Sequence, residues 1–326
     1  MSNRVEINKI ASVLGDEEFI LVLGLGFDLR STEILSHVNK SERLVSVLAL
    51  TNVGWNESNI GALQKLDELA YEKSQILGKN SQSILNLADE LWKTISNLGN
   101  NLRIIVDISS MSHELLAILI AILQFHNRLR KCLFLYTSAK QYSFNTGPSE
   151  IWLSRGVKEI RSVLGFPGEQ LPSRPLHLVI PLGFEVDRAV EVIQAYEPKV
   201  LSLGKGRVDG SFSELHFSTN EMFFNRLESF LRDKTFEIDL VETFDFSCVD
   251  PWKTKADLTK HLSLFDGLNT VVCPLNTKVS TVGIALLALS RPEIQICYAQ
   301  PVEYNTSGYA SSGDTVTYFD FQEIPA

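Results

Sequence analysis

The feature that most constrains this chain is an internal repeat. Leu25-Gly26-Phe27-Asp28-Leu29-Arg30 near the start returns as Leu182-Gly183-Phe184-Glu185-Val186-Asp187-Arg188. Each copy sits at the end of a strand-like segment, the continuous apolar run Phe19 to Leu25 and the mostly apolar Leu176 to Leu182. Such runs read as strands buried on both faces, the habit of a parallel sheet. The match continues downstream. Ile104 to Ser110, then an apolar helix, corresponds to Val271 to Thr277, then an apolar helix; this alignment sets Asp107 against Pro274. Tyr136 and Tyr142 correspond to Tyr298 and Tyr304, each pair with five residues between. Asn145-Thr146-Gly147 corresponds to Asn305-Thr306-Ser307-Gly308. Four landmarks in the same order point to duplication.

Between the landmarks the rhythm is strand and helix in alternation. In the first half we expect strands over 19–25, 43–50, 102–106 and 132–136, and helices over 29–38, 60–77, 82–98 and 113–125. In the second half we expect strands over 176–182, 199–203, 236–241, 269–273 and 294–299, and helices over 185–196, 220–232, 253–265 and 279–289. Gly165 to Pro175 holds three prolines and two glycines, which neither a helix nor a central strand accepts. The expected organisation is a first Rossmann-like unit over 1–164, a Pro/Gly linker over 165–175 and a second unit over 176–326. The expected fold class is α/β: two tandem, internally duplicated Rossmann-like parallel-sheet units packed as a pseudo-dimer. Ligands of open α/β sheets lie beyond the carboxyl ends of the strands, so the strand-end loops of both units are where a pocket is expected.

Composition narrows the function classes. A net charge of −9 argues against a broad nucleic-acid surface, since phosphate contacts need clustered Lys and Arg. The cysteines, Cys132, Cys248, Cys273 and Cys297, are scattered and form no C-x-x-C pair, so reduced buried thiols are expected. Leu115 to Phe125, the longest strongly apolar stretch, is too short to span a bilayer, and no signal peptide is evident. A cytoplasmic location without membrane contact is the expectation.

Gly24-Leu25-Gly26-Phe27-Asp28-Leu29 has two glycines of a dinucleotide fingerprint and Leu29 in place of the third, so no dinucleotide cofactor is expected. Asp28 and Glu185 fall near helix starts, where capping favours an acid. Arg30 and Arg188 either reach an anionic ligand or pair with the neighbouring acid. Asp107 ends a strand, with Ser109 and Ser110 behind it; the acid could hold a ribose hydroxyl, act as a base or be structural. Asn276, Thr277 and Lys278 open a helix and form a reasonable anion cradle. Gly204-Lys205-Gly206-Arg207 adds two positive charges but lacks P-loop spacing. Each Lys could equally be a solvated surface charge. The candidate ligand-binding set is Asp28, Arg30, Asp107, Ser109, Ser110, Arg188, Lys205, Arg207, Asn276, Thr277 and Lys278. The histidines stand without a second ligand at metal spacing, and neither a metal site nor a catalytic residue set is expected.

The paired Rossmann-like units, with Asp107-Ile108-Ser109-Ser110 before one helix and Asn276-Thr277-Lys278 before the other, resemble the CARF and SAVED ligand-sensing domains of prokaryotic antiviral defence. The loop departs from the CARF pattern Asp-apolar-Thr-Gly-Gly-Thr-Lys: no Gly-Gly or Lys follows Asp107, and no Asp precedes Thr277. The resemblance implies a non-catalytic sensor or accessory subunit for a nucleotide-type ligand, such as a cyclic oligonucleotide, with the effector as a separate partner chain. The alternatives are a ring-opening phosphodiesterase using Asp107, His113, Lys205 and Lys278, and a plain interaction subunit.

Overall fold

The computed structural model describes residues 2–52, 59–143, 151–233 and 236–323. The chain divides into two compact units: Met1–Thr146 with Thr306–Ala326, and Gly147–Asn305.

The first unit holds β1 (Asn3–Glu6), β2 (Phe19–Leu25), α1 (Glu33–Val38), β3 (Leu44–Thr51), α2 (Ile60–Ala70), β4 (Ser74–Leu77), α3 (Ile84–Asn97), β5 (Arg103–Asp107), α4 (His113–Phe125) and β6 (Cys132–Tyr142). The second holds β7 (Ser154–Pro167), β8 (Leu176–Pro181), α5 (Val186–Tyr196), β9 (Val200–Gly206), α6 (Glu214–Asp233), β10 (Leu240–Phe246), α7 (Pro251–Leu262), β11 (Asn269–Val272), α8 (Lys278–Ser290) and β12 (Gln295–Tyr304). The last strand, β13 (Ala310–Asp320), belongs to the first unit.

The first sheet has seven strands in the order β1-β13-β6-β5-β2-β3-β4, and the second has six in the order β10-β9-β8-β11-β12-β7. From β6 to β4, and from β12 to β10, every neighbouring pair is parallel. Numbered within each unit, both parallel cores run 3-2-1-4-5, the Rossmann order without its sixth strand. Each core ends on an antiparallel strand beside its fifth, β13 on β6 and β7 on β12. These two strands are exchanged along the chain: β7 follows the first core yet pairs in the second sheet, and β13 follows the second core yet pairs in the first.

This exchange corrects the expected boundaries. The stretch read as a linker over 165–175 is strand as far as Pro167. β7 is an edge strand, where a proline's missing N–H costs no ladder bond. Gly165 and Gly168 take positive φ of 90° and 66° there, and a side chain on Gly168 would collide with the backbone of Gln295. The unit boundaries fall at 146/147 and 305/306 instead of around 165–175. Ser74–Leu77, expected as the end of a helix, is β4, where Ser74 and Ile76 are half-buried and Leu77 is buried. The landmark Asn145-Thr146-Gly147 lies outside the described residues.

The cores follow from the sequence pattern. β2, FILVLGL, is buried at every position. In α3 only Leu87, Leu91 and Ile95 are buried, one stripe of an amphipathic helix. α4 and α8 are apolar on every side and buried along most of their length, as such helices must be. Their starts are fixed by hydroxyl caps: Ser112 accepts from the N–H of Leu115 at 3.2 Å, and Thr277 from that of Ser280 at 3.1 Å.

Candidate functional site

The repeated words build the same buried cluster in each unit. In the first, Asp28 caps a short 3-10 turn over Leu29–Thr32 and accepts from the Arg30 N–H at 3.0 Å. The Arg30 guanidinium grips the same carboxylate, Nε to Oδ1 at 3.1 Å and Nη2 to Oδ2 at 2.6 Å. Its Nη1 donates to the Thr137 carbonyl at 3.1 Å. The guanidinium lies 5.7 Å and 5.8 Å from the ring centres of Tyr136 and Tyr142, whose hydroxyls meet at 3.0 Å. In the second unit Arg188 donates to Glu185 and to the Ala299 carbonyl, and lies 5.5 Å from the ring centre of Tyr298. The Tyr298 and Tyr304 hydroxyls meet at 3.2 Å. Both arginines are 2% exposed. Burial works against each charge, and the adjacent acid together with the paired tyrosines more than compensates, so each guanidinium holds its proton more tightly than in water. Of the two readings open for Arg30 and Arg188, pairing with the neighbouring acid describes what they do here.

The units differ at the end of the fourth parallel strand. Asp107 closes β5 and is 2% exposed. Its Oδ1 accepts from the Ser109 N–H at 3.0 Å and the Ser109 hydroxyl at 2.5 Å, and Ser109 Oγ in turn accepts from the Thr137 N–H at 2.8 Å. Asp107 Oδ2 and Thr137 Oγ1 are buried and make no hydrogen bond among the described residues. Burial pushes the Asp107 carboxyl up to about 7, against the pull of Ser109 and Arg30. Half-buried Ser110 donates to the Gly24 carbonyl at 2.5 Å.

The sheet register shifts the expected correspondence by one residue. Leu23, three before Gly26, pairs with Asp107, and Val179, four before Gly183, pairs with Val272. The residue opposite Ile180 is therefore Cys273, which is buried, and not Pro274. The second loop is one residue shorter, so its cap Thr277 matches Ser112.

The glycines behave differently too. A side chain on Gly24 would strike the Met111 backbone at 2.7 Å, so this glycine serves packing. Gly26 is less crowded: a Cβ would meet only Asn59 Oδ1, at 3.9 Å, among the described residues. Its counterpart Gly183 lies against the Leu275 carbonyl. The second unit's strand ends are knitted shut. Asn220 donates to the carbonyls of Leu182 and Gly183 at 2.8 Å and 3.2 Å and accepts from Gly206 at 2.9 Å. Asn276 donates to Leu182 at 2.6 Å, and Thr277 to the Cys248 carbonyl at 2.6 Å. Lys205 faces Glu221 at 3.8 Å and lies over the Phe224 ring; Arg207 pairs with Asp257 at 2.9 Å and Asp209 at 3.5 Å. The basic cradle read from the sequence is thus largely neutralised by acids from α6, α7 and its own loop. Lys278 opens α8, half-buried. Asn220, 0% exposed in mid-helix, was outside the sequence reading; an Asn in α6 carries no local signal of what it will clamp.

No protein-family model matches the sequence, and no curated protein matches it either. Among solved structures, the chain is similar to one described as a Type III CRISPR defence DNA nuclease activated by cyclic oligoadenylate. The identity is 9% and the TM-score 0.52, over 86% of this chain and 65% of that one. The chain thus spans less than two thirds of that protein, and the likeness is one of fold. It also aligns with a functionally unknown protein, PA1789 from Pseudomonas aeruginosa PAO1, at 11% identity and a TM-score of 0.25, over 86% of this chain and 92% of that one. Among the described residues no helix is long and apolar enough to cross a membrane, and no group of three or more His, Cys, Asp or Glu is placed to hold a metal ion.

Proposed function

We propose that the chain is a ligand-sensing accessory subunit that takes a nucleotide-type ligand at the strand-end mouth of its first unit and passes the signal to a separate effector protein. One observation carries this reading: among the described residues only Asn59 Oδ1, at 3.9 Å, comes near a Cβ on Gly26, whereas Gly183 in the second copy lies against the Leu275 carbonyl. A glycine turn so sparsely covered lets a ligand approach the backbone closely. Phe27 and Ser110, both half-buried, flank that turn: the Phe27 ring meets Tyr309 edge to face at 5.4 Å, and the Ser110 hydroxyl, whose proton goes to Gly24, keeps its lone pairs as acceptors. Lys278 at the start of α8 is the corresponding candidate in the second unit, with Asn276 and Thr277 holding its loop. The nucleotide class is supported by the fold shared with a nuclease that is activated by cyclic oligoadenylate.

Calorimetry of the purified chain against cyclic and linear oligoadenylates and mononucleotides tests the proposal. Binding by the native chain, lost in Gly26→Val and weakened in Ser110→Ala, is the expected result. No heat with any of these ligands would overturn it.

The second reading is a phosphodiesterase, favoured by the Asp107 carboxyl, which burial brings to about 7, within reach of general acid–base work. Turnover of a labelled cyclic oligoadenylate, lost in Asp107→Asn, would favour it; binding without turnover favours the sensor.

A further inference from the structure

Among the described residues each sheet has two edge strands, β1 and β4 in the first and β7 and β10 in the second. Proteins blunt such edges with short strands, lysines, prolines or bulges, because an unpaired edge is a template for another strand. Three of the four edges are blunted. β1 and β4 are four residues each, and β4 stands between Lys73 and Lys79. β7 is long, but it carries Arg155, Lys158 and Arg161, two glycines at positive φ, Gly156 and Gly165, and two register shifts against β12.

β10 carries only one such device, charge, and of the opposite sign, in Glu242 and Asp245. It runs seven residues in unbroken parallel register on β9, with no proline, lysine or bulge. Leu240 and Val241 are 41% and 46% exposed, and Glu242, Thr243 and Asp245 are exposed beside them. From Phe236 to Asp250 the sequence has five acids and no Lys or Arg. At the amino end of this edge lies a cavity of about 580 Å³. Its apolar lining includes Ile193, Phe236 and Ile238, and its charged lining Glu197, Glu237 and Lys199.

We infer that the β10 edge is a docking site for an extended segment of a partner protein with alternating basic and apolar side chains. The segment would add as a seventh strand to the second sheet, as in strand addition to other exposed edges. Opposite charges directly across neighbouring strands stabilise pairing and like charges oppose it. Side chains alternate along β10, so Asp245 shares one face with Val241 and Thr243, and Leu240 and Phe244 lie on the other. The segment's basic side chains, all on one face, are set beside Asp245 and its apolar ones beside Leu240 and Phe244, whereas a second copy of β10 brings only acids to acids. The cavity takes an apolar side chain at the end of the segment and leaves its basic neighbours to Glu197 and Glu237. This surface is separate from the strand-end mouth of the first unit and does not depend on nucleotide binding.

The test uses the full chain and a fluorescein-labelled peptide of alternating lysine and valine, about as long as β10. Fluorescence anisotropy is expected to show saturable binding that weakens with salt, and hydrogen exchange to show new protection confined to Leu240–Phe246. A glutamate–valine peptide is expected not to bind. Nor are lysine–valine peptides N-methylated at alternate residues, in whichever of the two registers blocks pairing. The double variant Glu242→Lys/Asp245→Lys is expected to lose roughly tenfold or more in affinity, as for charge reversal at a steered interface, while Gly26→Val leaves peptide binding unchanged. Three results would overturn the inference: equal binding by the glutamate peptide, indifference to N-methylation in both registers, or a self-associated chain in sedimentation that the double variant dissociates. The peptide controls use the native chain, so they remain decisive even where the variant misfolds.

Discussion

Arg30 donates to the backbone carbonyl of Thr137 at 3.1 Å, across 107 positions of sequence. The residue one place beyond the first tyrosine of the second pair, Ala299, receives Arg188 in the same way. In each unit this bond ties the turn after the first strand of the parallel core to the fifth.

Arg30→Ala and Arg188→Ala are each expected to be severely destabilising. Truncation leaves Asp28 or Glu185 buried without its cation, which typically costs about 3–5 kcal/mol. Replacing both partners, as in Asp28→Leu/Arg30→Met, is expected to cost less than Arg30→Ala alone. Urea unfolding of the three proteins checks the order.

Asp107 gives the first unit a distinct pH signature. Its folded carboxyl lies near 7 and the ordinary value is 3.8, so between these the folded protein holds a proton that the unfolded chain releases. The contribution is fully present below about 3.8 and is lost as pH rises towards 7. Asp107→Asn should abolish that slope. The difference in urea midpoint, variant minus native, is expected to grow from about pH 4 to about pH 7 and then level off.

The second unit's histidines act in the opposite sense. His177 shares the Ser202 hydroxyl with His261, each at 2.7 Å, and burial lowers both imidazoles, His177 to about 4. Burial takes His216 to about 4 as well. The unfolded chain binds these protons first, so their contribution is present above 6.5 and is lost as pH falls from 6.5 towards 4. NMR titration of the ring protons is expected to show His177 and His216 still neutral at about pH 5.5.

The repeat made the two parallel cores legible, because strand runs, apolar helices and the acid–Arg and Tyr–Tyr words are all local patterns. α4 matched its expected bounds, His113 to Phe125, since a run apolar on every side announces its own body, although its cap is Ser112 and not Ser109 or Ser110. What the sequence hid is non-local. β13 was not foreseen, because its serines, threonines and aspartates (ASSGDTVTYFD) lack an apolar run; its partner on β6 decides it. The site residues were legible as residue types only. Lys205 and Arg207 read as a basic cluster because Glu221 and Asp257 lie 16 and 50 positions away in sequence.

Thr277→Ala should cost more than Ser112→Ala. Each removes a helix cap, worth about 1 kcal/mol. Thr277 also satisfies the Cys248 carbonyl, which the alanine would leave bare. Thermal unfolding of the two variants side by side is expected to show the larger drop for Thr277→Ala.

The exchange of β7 and β13 sets the timetable of synthesis. The ribosome delivers all the parallel strands of the first unit early, yet that sheet's β6 edge stays bare until residues 310–320 emerge. The second unit's antiparallel edge strand, β7, emerges before its parallel core is made. The half translated first is therefore the half finished last, and a nascent chain stalled before Ala310 would expose β6 to any passing strand.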